Sequence, residues 1–160
     1  MPCYLFTYHG YRTWLPDRDE GFVEHHREHN YPDLKLAAAY RARAKEDVVF
    51  FGEEHQRVII DAVLAAAPHQ QFRTHFVATE STHSHVLVSW RDDRMWQTFR
   101  SGIKSSITRA LNQKFKRRRW LEEGASRRKV NNQEHYDYLI VTYLREHRGW
   151  KWSEEKQHFR

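Results

Sequence analysis

The most informative part of the sequence is Thr82-His83-Ser84-His85-Val86-Leu87-Val88-Ser89-Trp90. It predicts a β-strand, in which successive side chains point to opposite faces of a sheet. His83 and His85 would then share one face, while Val86, Val88 and Trp90 would point to the other. Two imidazoles one residue apart can hold one cation, but a metal site needs further ligands. The alternative is an edge strand with two polar side chains, since the chain contains 12 histidines.

Residues 71–79 predict the strand that pairs with this one. Their side chains alternate, which places Phe72, Phe76 and Ala78 on one face of a half-buried strand. Because only residues 80–82 separate the two strands, an antiparallel hairpin is expected. A hairpin keeps its register and can therefore hold the two histidines in place.

Two long stretches have apolar residues three and four apart, as in amphipathic helices. The first covers 53–67 and should begin after Gly52 and stop at Pro68. The second covers 94–114, and its buried face is formed by Trp96, Phe99, Ile103, Ile107 and Leu111. These helices should pack on the sheet that contains the hairpin.

Shorter elements complete the predicted set. Strands are expected at 3–9 and within 124–130, and a peripheral helix is expected over 32–44. Three further histidines, His25, His26 and His29, share no helix or strand face. We therefore interpret them as part of a solvated connection.

The last helix is predicted to run from about residue 131 to about 147, with Asn131 as its N-cap and Glu134 completing a capping box. Tyr143 and His147 are four residues apart and would share one face. His147 is thus a candidate third ligand, and a metal bound there would lie beside the Tyr143 hydroxyl. The alternative has Tyr143 in the core and His147 as a cation that the helix C-terminus favours. The spacing alone leaves both interpretations open.

Composition points to a polyanionic partner. The formal net charge is +6, the sequence pI is about 9.5, and 14% of the residues are aromatic. The candidate phosphate contacts are Arg12, Arg100, Lys104, Lys116, Arg117, Arg118, Arg119, Arg127 and Arg128. Trp14 and Trp120 could stack on unpaired bases, as aromatic rings do in proteins that bind single strands. The alternative is a solvated basic surface with the rings in the core.

The rest of the composition bounds the class of protein. A chain of 160 residues is the size of one domain. The single cysteine, Cys3, excludes an internal disulfide and fits a reducing compartment. The sequence has neither an apolar run of about 18 residues nor the pattern of a signal peptide. A cytoplasmic protein without a membrane span is therefore expected.

Several motifs together resemble the single-tyrosine transposases of the HUH superfamily, which include the REP-associated and IS200-like enzymes. The resemblance covers nearly the whole chain. It rests on Phe6-Thr-Tyr-His-Gly-Tyr-Arg-Thr-Trp-Leu-Pro-Asp-Arg-Asp-Glu-Gly-Phe-Val23, His83-x-His85, Arg109-Ala-Leu-Asn112, the segment from Arg119-Trp120 to Ser126, and the helix with Tyr143. Two positions differ from the family. Ser84 replaces a hydrophobic residue, and the third ligand, commonly a Gln or another polar residue one turn after the tyrosine, would be His147 unless Arg148 occupies that position.

The resemblance implies an α+β fold: a ferredoxin-like βαββαβ antiparallel sheet with helices on one face, plus a C-terminal helix that carries the tyrosine. It implies one domain over residues 1–160, with Tyr143 as the nucleophile and Tyr136 and Tyr138 less suited. The implied cofactor is Mg²⁺ or Mn²⁺ on His83, His85 and His147. The implied partners are single-stranded DNA with a hairpin and a second copy of the chain, since the family forms dimers. The implied reaction cleaves and rejoins DNA through a 5′-phosphotyrosine.

Two other functions are compatible with the same residues. One is a non-catalytic nucleic-acid-binding module of this fold, in which the histidines are structural. The other is a metal-dependent hydrolase that activates water and leaves no protein on the cleaved ends.

Overall fold

A computed structural model describes residues 1–13, 22–23, 29–30, 35 and 48–160 of the chain. The predictions for Trp14, for the side chains of His25, His26 and His29, and for a helix over 32–44 lie outside the described residues.

The described chain forms an antiparallel sheet with helices on both faces, so the predicted α+β class is confirmed. The elements in order are β1 (Cys3–His9), β2 (Phe22–Val23), β3 (His29–Asn30), α1 (Glu53–Gln70), β4 (Arg73–Thr79), β5 (His83–Ser89), α2 (Trp96–Lys114), β6 (Ser126–Lys129), α3 (Gln133–Tyr138), β7 (Lys151–Ser153) and β8 (Gln157–Phe159). Six strands pair in the order β6-β1-β5-β4-β7-β8, and every pair is antiparallel. Strands β7 and β8 extend the sheet beyond the predicted elements. Their three-residue length and polar sequence gave no strand pattern.

The two faces of the sheet carry different helices. On one face, α1 and α2 bury a large core together with Phe6, Tyr8, Val86 and Val88. On the other face, the C-terminal helical segment packs its buried leucines on a smaller cluster, formed by Leu5, Phe76, Ala78, Leu87, Leu139 and Leu144. The expectation of helices on one face therefore holds for the two long helices. The C-terminal segment with Tyr143 covers the opposite face.

The register of β5 follows its alternation. Val86, Val88 and Trp90 face α1 and α2, as expected. The pairing of β1 with β5 places Thr7 opposite His85 and His9 opposite His83. These pairs bring two segments that are far apart in sequence to the same end of the sheet.

The predicted face of Phe72 was wrong. Phe72 packs with α1 and α2, whereas Phe76 and Ala78 belong to the opposite cluster. The pairing of β4 with β5 shifts between Thr74 and Phe76. A bulge adds one residue to a strand and so reverses the side on which the following residues lie.

The helix ends differ from two predictions. Helix α1 continues through Pro68 to Gln70, because a proline near the last turn removes only one hydrogen bond. Its C-cap is the next residue, Gln71, which is in the left-handed conformation with φ 61°. Helix α3 begins one residue later than predicted, since the side chain of Asn132 accepts from the His135 N–H at 2.8 Å.

The C-terminal helical segment is not one regular helix. It is α-helical in α3, π-helical over Leu139–Tyr143 and 3₁₀-helical over Leu144–Glu146. His147 follows in an extended conformation, with ψ 137°. The predicted continuous helix to His147 is therefore replaced by a segment whose winding changes twice. No helix among the described residues is both long enough and apolar enough to cross a membrane.

Candidate active site

Three imidazoles meet at one end of the sheet. His83 and His85 come from β5, and His147 lies just beyond the 3₁₀ turn. Their candidate ligand atoms all lie within 4.8 Å of one another. We call these three residues the histidine site. The predicted ligand set is thus brought together within one chain, while the side chain of Arg148 is exposed.

Each ring of the histidine site is held through its Nδ1 atom. Nδ1 of His85 lies 2.7 Å from Thr7 Oγ1, and Nδ1 of His83 lies 2.9 Å from Thr82 Oγ1. Nδ1 of His147 lies 3.1 Å from the carbonyl oxygen of Tyr143. Hydrogen bonds of this kind fix the tautomer and orientation of histidines that bind metals. They would make Nε2 the coordinating atom of all three rings.

The electrostatics of the site favour a neutral imidazole at His85. His85 is 5% exposed. Burial, followed by the nearby His83 and His147, lowers the pKa of His85 to about 2. A neutral imidazole is the form that binds a metal ion. Three imidazole nitrogens fit a divalent transition metal.

Tyr143 lies beside the histidine site. Its hydroxyl is 3.5 Å from His85 Nε2, and the two rings are 5.4 Å apart. Burial raises the pKa of Tyr143, whereas the charge of Arg128 lowers it. Tyr143 is the last residue of the π-helical turn, a type of turn often found at functional sites.

The two neighbouring tyrosines occupy other environments. The Tyr136 hydroxyl lies 3.0 Å from Nδ1 of His75, whose Nε2 lies 2.7 Å from Ser89 Oγ at the far end of β5. Tyr138 is 52% exposed, and its ring is nearly parallel to that of Tyr143 at 6.4 Å. Tyr143 is therefore the phenol that the fold turns toward the histidine site.

The residues that support the histidine site were not among those predicted from the sequence. Thr7 and Thr82 orient two of the rings, and the ring of His9 lies 5.7 Å from that of His83. Thr82 is adjacent to His83 in the sequence, and this position could have suggested that its hydroxyl contacts the ring. Thr7 and His9 had no such signal, because their positions depend on the register between β1 and β5.

The fold matches that of a solved protein. The structure of a REP-associated tyrosine transposase bound to a REP hairpin aligns with a TM-score of 0.50 over 89% of this chain, at 14% identity. This chain has the fold of that transposase. It spans 64% of the length of the transposase chain. The α+β class with an antiparallel sheet, which the resemblance implied, is thereby confirmed.

A second crystal structure also aligns with the chain. It is of a protein from Deinococcus radiodurans R1 described as a transposase, with a TM-score of 0.44 and 11% identity. The alignment covers 93% of this chain and 92% of that one. No family model and no curated protein matches the sequence.

A basic groove of about 780 Å³ runs along the outer side of α2. Its cationic residues are Arg100, Lys104, Arg109 and Arg117, and they alternate with hydroxyl and amide side chains such as Thr108 and Asn112. Because the buried face of α2 packs on the sheet, this groove and the histidine site lie on opposite sides of the sheet. Burial lowers the pKa of Lys104 within the groove.

Arg127 and Arg128, both predicted to bind DNA, are adjacent on strand β6 and point to opposite faces of the sheet. The Arg127 guanidinium lies 4.2 Å from the Trp96 ring centre on the side of α2, and Arg100 lies 4.8 Å from the same ring. Arg128 pairs with Leu5, whose side chain belongs to the opposite face. Arg128 thus points toward the side of Tyr143 and contributes to its electrostatics.

The other predicted DNA contacts differ in exposure. Lys116 and Arg119 are exposed, and Arg118 is partly buried. Arg12 is partly buried in the turn after β1, where its main-chain N–H donates to the Glu122 carboxylate.

Trp120 is 5% exposed and donates its indole N–H to Asn112 at 2.9 Å. Its ring packs as core beside Phe115. The predicted stacking of Trp120 on a base therefore does not fit its position, because neither ring face is open to a base.

Proposed function

We propose that this protein cleaves and rejoins single-stranded DNA, as a single-tyrosine transposase does, with Tyr143 as the nucleophile. The observation that carries the proposal is the 3.5 Å distance between the Tyr143 hydroxyl and Nε2 of His85 within the histidine site. A phenol beside three imidazoles provides a nucleophile and a place for a divalent cation in one cleft.

In the proposed reaction, Tyr143 Oη attacks a backbone phosphorus atom. A bond forms between Oη and phosphorus while the bond from phosphorus to the 3′-oxygen breaks. The Tyr143 hydroxyl gives up its proton, the 3′-oxygen takes up a proton and leaves as a hydroxyl, and the 5′-phosphate stays on Tyr143. Attack by a 3′-hydroxyl on this phosphotyrosine reverses the step and joins two ends. The phosphodiester energy is conserved, so no ATP is needed.

The residues around the phenol would assist this step. A tyrosine hydroxyl is mostly protonated at neutral pH, and burial raises the pKa of Tyr143 further. The positive charge of Arg128 acts in the opposite sense and favours the phenolate. When bound to the histidine site, a divalent cation would polarise a phosphate oxygen and stabilise the charge that develops.

We propose Mg²⁺ or Mn²⁺ as the cofactor. Imidazole nitrogens suit transition metals better than Mg²⁺, which prefers oxygen ligands. Three imidazoles at the site therefore favour Mn²⁺ of the two.

We further propose that the DNA substrate contains a hairpin, as the transposase in the matching structure is bound to one. The basic groove has the charge and the polar side chains expected of a surface that binds a phosphate backbone. DNA leaving the groove would pass β6, where Arg127 faces the groove side and Arg128 faces the side of Tyr143.

A homodimer is part of the proposal, because the resemblance implies one. Tyr143 and His85 of one chain are already adjacent. We therefore propose that each protomer carries a complete site.

The test is a denaturing gel with labelled single-stranded DNA from the flanks of the gene, including any hairpin. The protein is incubated with Mn²⁺ or with EDTA, alongside Tyr143→Phe. A DNA–protein adduct that requires Mn²⁺ and Tyr143 would support the proposal. Cleavage without an adduct would indicate the hydrolase instead. Binding without cleavage, equal in Mn²⁺ and EDTA, would indicate a non-catalytic binding module.

A further inference from the structure

Lys151 is a buried lysine next to the histidine site. It lies on β7 opposite Ala78 of β4 and is 4% exposed. Its ammonium donates to the carbonyl oxygen of His147 at 2.6 Å and to that of Gly149 at 3.0 Å. A buried ammonium is costly unless it is hydrogen-bonded, and carbonyls at a helix end lack helical partners. These two bonds therefore satisfy both the lysine and the turn over 147–149.

The same turn is held to the link between β4 and β5, which leads into His83. The Arg148 N–H donates to the Glu80 carboxylate at 2.6 Å, and the Gly149 N–H donates to the Thr79 carbonyl at 3.1 Å. A side chain at Gly149 would clash with that carbonyl oxygen, so the close approach requires glycine. The main chain of the turn is thus fixed relative to β5.

His147 depends on this support more than its partners do. His83 and His85 lie within a seven-residue strand, whose ladder fixes their main chain. His147 lies outside any helix or strand, and its Nδ1 atom lies 3.1 Å from the carbonyl oxygen of Tyr143. The carbonyl that Lys151 binds belongs to His147 itself.

We propose that Lys151 is a positioning residue that sets the place of His147 relative to His83 and His85. The inference rests on the proposed metal site. Without the ammonium, the carbonyl of His147 loses its partner, and the ring loses its fixed distance to the other two imidazoles. Metal affinity should fall while the two strand histidines keep their places.

The experiment is a titration of the full chain with Mn²⁺ alone, in which free Mn²⁺ is followed by electron paramagnetic resonance. The variants are Lys151→Met, which keeps the volume but removes the donors, and His147→Ala. Lys156→Met is the matched control, because that lysine is exposed. We expect Lys151→Met to weaken Mn²⁺ binding by about 10- to 100-fold, the usual effect of losing support for a ligand. Lys156→Met should bind like the wild type.

A double variant separates positioning from a general effect on the fold. If Lys151 acts through His147, Lys151→Met should not weaken binding further in the His147→Ala background. An equal further loss in that background would overturn the inference. Circular dichroism verifies folding, and Lys151→Gln replaces Lys151→Met in the same comparison if the latter does not fold.

The outcomes distinguish this inference from the proposed function. If Lys151→Met binds Mn²⁺ like the wild type while His147→Ala binds it weakly, the role of Lys151 is overturned and the metal site stands. If the wild type does not bind Mn²⁺, or His147→Ala binds it equally well, the proposed metal site fails and the inference fails with it.

Discussion

The Tyr143 hydroxyl lies 3.5 Å from Nε2 of His85, although the two residues are 58 positions apart in the chain. Strand β5 places His85 on the sheet face that the C-terminal helical segment covers. The π-helical turn then ends at Tyr143, on the side of that segment nearest the imidazole. The tyrosine and the histidine therefore meet without a contribution from a second chain.

Tyr138 and Tyr143 form a matched pair for testing the nucleophile. Tyr143→Phe should abolish the covalent DNA adduct and leave DNA binding unchanged. Tyr138→Phe keeps the ring beside Tyr143 and removes only an exposed hydroxyl, so it should react within about 2-fold of the wild type, as an exposed group rarely contributes more than about 0.5 kcal/mol. Single-turnover adduct formation measures both. An adduct that persists in Tyr143→Phe and is lost in Tyr138→Phe would reassign the nucleophile.

Thr7 and Thr74 allow a test of how His85 is oriented. Thr7→Val removes the hydroxyl that lies 2.7 Å from Nδ1 of His85. Mn²⁺ affinity should fall by about 10-fold or more, as is usual when a hydrogen bond behind a ligand is lost. Thr74 is also buried in a strand, but its hydroxyl has no hydrogen-bond partner among the described residues. Thr74→Val should leave both affinity and stability nearly unchanged, and equal losses in the two variants would contradict the role of Thr7.

His75 should make the metal-free protein less stable in mild acid. Burial lowers the pKa of His75 below its usual 6.5, with the charge of Arg73 acting in the same direction. The unfolded chain then binds a proton more readily than the folded one. The contribution of His75 to the free energy of unfolding is therefore complete above pH 6.5. It decreases as the pH falls toward the pKa of His75 in the folded protein, by at most about 1.4 kcal/mol per pH unit.

Urea unfolding in EDTA at several pH values measures this effect. In His75→Gln, the free energy of unfolding should no longer show the decrease below pH 6.5 that protonation of His75 causes. His69→Gln is the control, since His69 is exposed at the end of α1. Identical pH profiles for His75→Gln and the wild type would show that His75 does not couple to folding.

Arg127 and Arg128 are neighbours that should affect different steps. Arg127→Gln removes a charge on the groove side of β6. It should weaken hairpin binding and lower the slope of log affinity against log salt by about 1. Arg128→Gln removes a charge that favours the Tyr143 phenolate. It should slow single-turnover cleavage by about 10-fold, which corresponds to about 1.4 kcal/mol.

Binding across a salt series and cleavage at saturating protein measure the two steps separately. Each variant removes one positive charge, and the two positions are adjacent in the chain. Each variant therefore serves as the control for the other. The assignment would be contradicted if both variants changed the same step equally.

The features of this protein that depend on local periodicity could be predicted from its sequence. The alternation of β5 placed His83 and His85 on one face, and the spacing along α2 identified Phe99, Ile103 and Ile107 as buried. These predictions succeeded because the repeat of a strand or helix is fixed by its own backbone. The spacing of Tyr143 and His147 also indicated that they are neighbours, although the regular helix assumed for them does not form.

The distant segments that support the site could be identified only from the folded chain. Thr7 reaches His85 through the register of β1 with β5, and Lys151 reaches His147 from a strand that is three residues long. Trp120 is buried because α2 and the following segment close over it, whereas its basic flanks suggested exposure. Such contacts depend on pairing and packing between segments far apart in the chain, and no local pattern encodes them.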